Sequence, residues 1–192
     1  MSLDRRAWFP FRFAWFFSVL FMAAPLLALT IDDLRRIPDL TPQLFARQFA
    51  NFQYERHSKV QAPEVFLAKQ AGDCDDYATL AAEIFRERGF TTRLVTIRMA
   101  DDVHAVCYIA EAHCYLDYSN RGYMNRAVST DGSLPDIARK VARSFGSNWT
   151  SVAESTYEKG VEKMVRLETP KNSKAALRQF ARASVKTVPI NF

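Results

Sequence analysis

The run Ala71-Gly72-Asp73-Cys74-Asp75-Asp76-Tyr77-Ala78-Thr79-Leu80 constrains this chain more than any other stretch. A turn pair, Gly72-Asp73, leads straight into a helical pattern. Tyr77, Leu80, Ala81, Ile84 and Phe85 recur at helical spacing, and Gly89 follows as a stop. Asp73 suits the N-cap, so Cys74 falls in the first helical turn. A thiol there meets unpaired backbone N–H groups and the positive end of the helix dipole, and both favour the nucleophilic thiolate form. The charges of Asp75 and Asp76 act in the opposite sense. A catalytic role for Cys74 therefore requires a histidine nearby.

Two strand-like runs follow. Val103-His104-Ala105-Val106-Cys107-Tyr108-Ile109 and His113-Cys114-Tyr115-Leu116-Asp117 are separated only by Ala110-Glu111-Ala112. They read as an antiparallel hairpin. A two-residue turn at Ala110-Glu111 sets His104 opposite Asp117 and Cys107 opposite Cys114, and a four-residue loop centred there keeps that register. Directly opposed residues have Cβ atoms about 5 Å apart. An aspartate at that range holds an imidazole in one tautomer, as a nucleophile–base–acid triad requires. The strand Arg93-Leu94-Val95-Thr96-Ile97-Arg98 alternates, which favours one buried face. Nucleophile helix plus antiparallel sheet makes an α+β fold.

These residues resemble the transglutaminase-like cysteine-protease core. The resemblance rests on Gly-Asp-Cys-Asp-Asp-Tyr-Ala, on His-Ala-Val opening a strand and on Tyr-Leu-Asp ending the next. Ala62-Pro63-Glu64 and Gly89 fit the bacterial members, and the resemblance runs from about Thr41 to Tyr123. It implies a papain- or transglutaminase-like fold, with Cys74 as nucleophile, His104 as base and Asp117 as its orienting acid. It also implies a protein or peptide substrate. It implies no cofactor, except that some bacterial members need calcium. The family often carries Trp two residues after the His, where this chain has Val106. Tyr54 and Gln53, read as part of a helix from Pro42 to Arg56, are the oxyanion candidates beside the Cys74 N–H. The expected activity is that of a cysteine peptidase or amidase. A protein-crosslinking transglutaminase is the first alternative, since water or an amine completes the same chemistry. A non-catalytic binding module on the same fold is the second.

The amino terminus bears on compartment. Arg5, Arg6 and Arg12 precede a run from Phe13 to Leu29 that has no charged residue. It reads as a signal peptide over residues 1–28, or as a retained membrane anchor. Either assignment places the domain outside the cytoplasm, in the periplasm or beyond. In such an oxidising space Cys107 and Cys114 are candidates for a disulfide, leaving Cys74 free; two buried thiols are the alternative. Cys74, His104, Cys107, His113 and Cys114 also contain enough ligands for zinc. Strand alternation sends His104 and Cys107 to opposite faces, however, so no metal is assigned.

The 48% hydrophobic content and 15 Phe supply a core for one domain over residues 29–135. Residues 136–192 read as a basic helical segment packed on it. From Arg139 onward the chain has eleven Lys or Arg against four Glu. Helices are expected over Thr150–Glu168, with Val152, Tyr157, Val161, Met164 and Val165 as a loose apolar stripe, and over Ser173–Val185. Their basic sides suggest contact with a membrane or other anionic envelope surface. An exported chain without interleaved basic and aromatic residues in this segment argues against nucleic acid. His57 is expected on a polar helix face.

Overall fold

The computed structural model describes residues 29–123, 127–158 and 161–170. The leader and the expected Ser173–Val185 helix lie outside the described residues. Three short helices come first or nearly so: α1 (Ile31–Arg36), α2 (Pro42–Gln48) and, after the two-residue strand β1 (Gln53–Tyr54), α3 (Pro63–Lys69). Thr30 and Thr41 cap the first two helices through their hydroxyls. Then come β2 (Ala71–Gly72), the long helix α4 (Cys74–Glu87), β3 (Thr92–Met99), β4 (Val103–Ile109) and β5 (Cys114–Leu116). A short 3₁₀ turn at Tyr118–Asn120, β6 (Ala127–Ser129), α5 (Leu134–Ser144), β7 (Trp149–Glu158) and β8 (Val161–Glu168) complete the order. Among the described residues no helix is long and apolar enough to cross a membrane.

The fold is α+β. One antiparallel sheet, ordered β6-β5-β4-β3-β7-β8, separates two helical layers. Alternation along β3 and β4 divides the core. Leu94, Cys107 and Ile109 pack with α2, α3 and α4, while Val95, Ile97, Val106 and Tyr108 pack with α5. β1 and β2 form a separate parallel pair that brings Tyr54 level with Gly72. Gly72 has no room for a side chain: a Cβ would lie 2.5 Å from Asp76 Oδ2 and 2.6 Å from the Phe66 ring.

Four sequence expectations change. The helix expected to Arg56 ends at Gln48, so Gln53 and Tyr54 lie on β1. His57 lies in the following loop, not on a helix. The β4–β5 loop is Ala110–His113, with His113 in the left-handed region (φ 46°), and the ladder slips by two residues. Cys107 therefore faces Leu116, and Ile109 faces Cys114, so Cys107 and Cys114 are diagonal neighbours and stand as separate thiols. Thr150–Glu168 is not a helix but the β7–β8 hairpin. Its strand β7 is paired along β3, so part of the segment expected to be helical extends the central sheet.

Candidate active site

Cys74 is the first residue of α4, with Asp73 at the N-cap. Buried Asp76, at the third helical position, accepts the Asp73 backbone N–H at 3.1 Å. It also accepts the Gln61 backbone N–H at 2.6 Å and the Gln61 side-chain amide at 2.8 Å. Asp73 in turn accepts the His57 N–H at 2.8 Å. These bonds fix the loop before Pro63 against the helix start and hold Cys74 half-buried at its tip.

His104 and Asp117 meet as the sequence reading expects, though not in the expected register. Continuing the ladder past Leu116 sets Asp117 opposite Val106, with His104 its diagonal neighbour on the same face. Diagonal pairs remain within reach of long side chains. His104 Nε2 donates to Asp117 Oδ1 at 2.8 Å, and the Ser119 backbone N–H donates to the same oxygen at 2.8 Å. Asp117 is fully buried and His104 is 4% exposed. Cys74 lies near enough to His104 to favour its charged form. With Nε2 engaged by Asp117, Nδ1 is the ring nitrogen left for the thiol. Burial opposes the charged imidazolium, but the hydrogen bonds and charges of Asp117 and Cys74 outweigh it and push the His104 pKa up to about 10.

Cys74, Asp73, Asp75 and Asp76 crowd one helix end, and their environments differ. Burial and the neighbouring Asp73 and Asp76 charges raise Asp75 to about 8. Asp75 is therefore mostly protonated at neutral pH, which removes one of the charges opposing a thiolate. Asp73 stays below its usual value: burial pushes it up, and bonds from Asp75, His57 and Asp76 outweigh that. The three carboxylates have oxygens within 4.8 Å of one another. Asp73 Oδ1 and Asp75 Oδ1 are both buried without a hydrogen-bond partner. Carboxylate oxygens this close fit a proton shared between Asp73 and Asp75 or, once that proton is lost, part of the oxygen shell of a hard cation such as calcium.

The oxyanion candidates separate. Tyr54 is 60% exposed, and its phenol pKa is raised by partial burial and by the charges of Cys74 and Asp73. It is thus an O–H donor within electrostatic reach of the thiol. Gln53 directs its side-chain amide to the Asn51 backbone carbonyl at 3.4 Å, and its backbone carbonyl accepts the Tyr118 hydroxyl at 2.7 Å. Burial raises the Cys107 thiol, and Cys114 is pushed up to about 11 for the same reason. Neither is suited to act as a nucleophile.

Residues 41–126 match the family model of the transglutaminase-like superfamily. Over this segment the chain is similar to the transglutaminase-like superfamily. No curated protein and no solved structure matches the chain. The matched segment contains Cys74, His104 and Asp117. Two contributors to the site were not legible in the sequence. Gln61, which anchors Asp76, has no local signal beyond its position before Ala62-Pro63. Phe145, whose ring centroid lies 4.8 Å from that of His104, comes from outside the matched segment.

Proposed function

We propose that this protein is an exported thiol hydrolase that cleaves amide bonds of a protein or peptide. The observation that carries the reading is His104 held between buried Asp117 and the helix-start Cys74. The Cys74 thiolate attacks the amide carbonyl carbon, and the carbonyl π electrons move onto oxygen. Imidazolium His104 protonates the leaving amine as the tetrahedral species collapses to a thioester. Water, deprotonated by neutral His104, then attacks the thioester and releases the acid and the thiol. Asp117 holds the imidazole orientation throughout. The Cys74 backbone N–H and the Tyr54 hydroxyl are the oxyanion donors. Asp73 and Asp75 would hold a calcium ion, which when bound supplies positive charge beside the nucleophile.

Hydrolysis is preferred to acyl transfer because many of the bacterial proteins that this core resembles are secreted peptidases. Export is supported by Arg5, Arg6 and Arg12 ahead of the apolar run. The basic residues after Arg139 are the proposed contact with an anionic envelope surface. The test is a peptide library incubated with the full chain, with and without a primary amine, and read by mass spectrometry. New amine-free termini that vanish in Cys74→Ser support the hydrolase. Amine-bearing glutamines support a transglutaminase instead, and an unchanged library supports a binding module.

A further inference from the structure

We propose that Phe145 is a positioning residue for His104: its ring closes one side of the imidazole and keeps water from the His104–Asp117 hydrogen bond. This rests on the thiol-hydrolase reading above, but its geometry is independent of the substrate.

The ring of Phe145 lies over that of His104 with centroids 4.8 Å apart and planes tilted by 56°. The two residues contrast in exposure. His104 is 4% exposed and Phe145 39%. Phe145 belongs to neither hydrophobic cluster, whereas Val141 and Ala142 on the same helix are core residues. Core packing therefore does not explain a large ring held at the surface. Its backbone is nevertheless fixed. The Phe145 N–H bonds the Val141 and Ala142 carbonyls at 3.3 and 3.1 Å, Gly146 N–H bonds Arg143, and Ser147 N–H bonds Ala142. Gly146, at φ 62°, allows the chain to turn immediately after the ring. The helix end thus presents Phe145 to His104 on a rigid mount.

An imidazole needs such a contact. The torsion that sets a histidine ring plane is broad and two-fold, so packing and hydrogen bonds must select its value. Asp117 fixes one nitrogen. On the same face, β3 contributes Ile97, directly opposite His104 in the ladder. The charged or titratable groups acting on His104 are Asp117 and Cys74. Phe145 and Ile97 are apolar neighbours, and together they keep the surroundings of the hydrogen bond dry. A hydrogen bond shielded from water is electrostatically stronger than one that water can share.

Two readouts on the full chain test this. The first is water exchange of the His104 Nε2 proton, followed by NMR. Phe145→Ala should speed that exchange on the order of tenfold or more, because the protecting contact is lost. The second is iodoacetamide labelling of Cys74 at one neutral pH, which should slow by about tenfold as the imidazole loses its orientation. Phe145→Trp keeps a ring and should restore both. Wild-type exchange and labelling in Phe145→Ala would overturn the proposal. If circular dichroism shows that the alanine variant does not fold, Phe145→Leu carries the test. Faster exchange in folded Phe145→Leu supports the shield, and wild-type exchange overturns it. Should wild-type Cys74 label no faster than Cys74 in His104→Ala, the hydrolase reading fails, while the proton exchange still reports on Phe145.

Discussion

The two faces of the central sheet are built differently. Toward α2, α3 and α4 the core is aromatic: Phe49 stacks on Phe66 at 5.7 Å and meets Tyr77 edge-on at 5.0 Å, and Tyr77 lies 5.4 Å from Tyr118. Toward α5 it is mostly aliphatic, with Val95, Ile97, Val106, Ile137 and Val141. Aromatic pairs have preferred geometries worth about 0.5–1.5 kcal/mol each beyond the area they bury. The aromatic face carries the helix that begins at Cys74 and the turn that follows Asp117. The α5 face adds one half-exposed ring beside His104. Cys74 is thus placed by a rigid interior, whereas the ring beside His104 hangs on a single helix end. The matched family segment coincides with the first of these and stops before the second.

The largest expected effect breaks the aromatic side at its functional tip. Cys74→Ser should reduce amide cleavage by roughly 10³-fold or more, since the acyl-enzyme route is lost. His104→Ala and Asp117→Asn should each lower turnover by about 10²–10⁴-fold, the range for a positioned general acid–base. Asp117→Asn should also change the stability profile. His104 titrates at 6.5 when unperturbed and at about 10 in the fold. Its contribution is therefore complete below about pH 6.5 and lost as pH rises through about 10. Melting temperature should fall across that window in the wild type and fall less in the variant.

Stability measurements compare the two faces directly. Phe66→Ala should cost about 3–5 kcal/mol in urea unfolding, whereas Ile97→Val on the other face should cost about 0.5–1.5 kcal/mol. Equal losses from equal truncations, such as Leu80→Ala and Ile137→Ala, would show that the two faces are equally tolerant. A separate, pH-dependent effect concerns Asp75. Its carboxyl titrates at 3.8 when unperturbed and at about 8 in the fold. Stability from the proton it holds is full below 3.8 and is lost as pH rises through 8. Asp75→Asn should show a flatter melting profile over that window. Calcium should raise the wild-type melting temperature at pH 8 more than the variant's.

What the sequence reveals depends on the range of the signal. The α4 start at Cys74 is legible because cap, period and stop all lie within one short run. β4 is read at its observed bounds, since its strand formers are continuous. The His104–Asp117 contact survives a two-residue slip because a diagonal neighbour lies on the same face as a direct one. The Cys107–Cys114 pairing does not, because bridging needs close, well-aimed Cβ atoms. The β7–β8 hairpin is hidden because Val152, Tyr157, Val161 and Met164 recur at intervals that imitate a helix, and the register step that leaves Val165 unpaired in β8 exists only once the two strands meet. Gln61 and Phe145 reach the site only through tertiary contacts, so no local pattern marks them.

The central claim is that His104 activates Cys74. Iodoacetamide labelling of Cys74 at pH 6, resolved from Cys107 and Cys114 by peptide mass spectrometry, tests it most directly. A free thiol, with a pKa of about 8.5, is nearly unreactive there. Wild-type Cys74 should label rapidly, and Cys74 of folded His104→Ala at least about tenfold more slowly. Equal rates in the two proteins would contradict the claim.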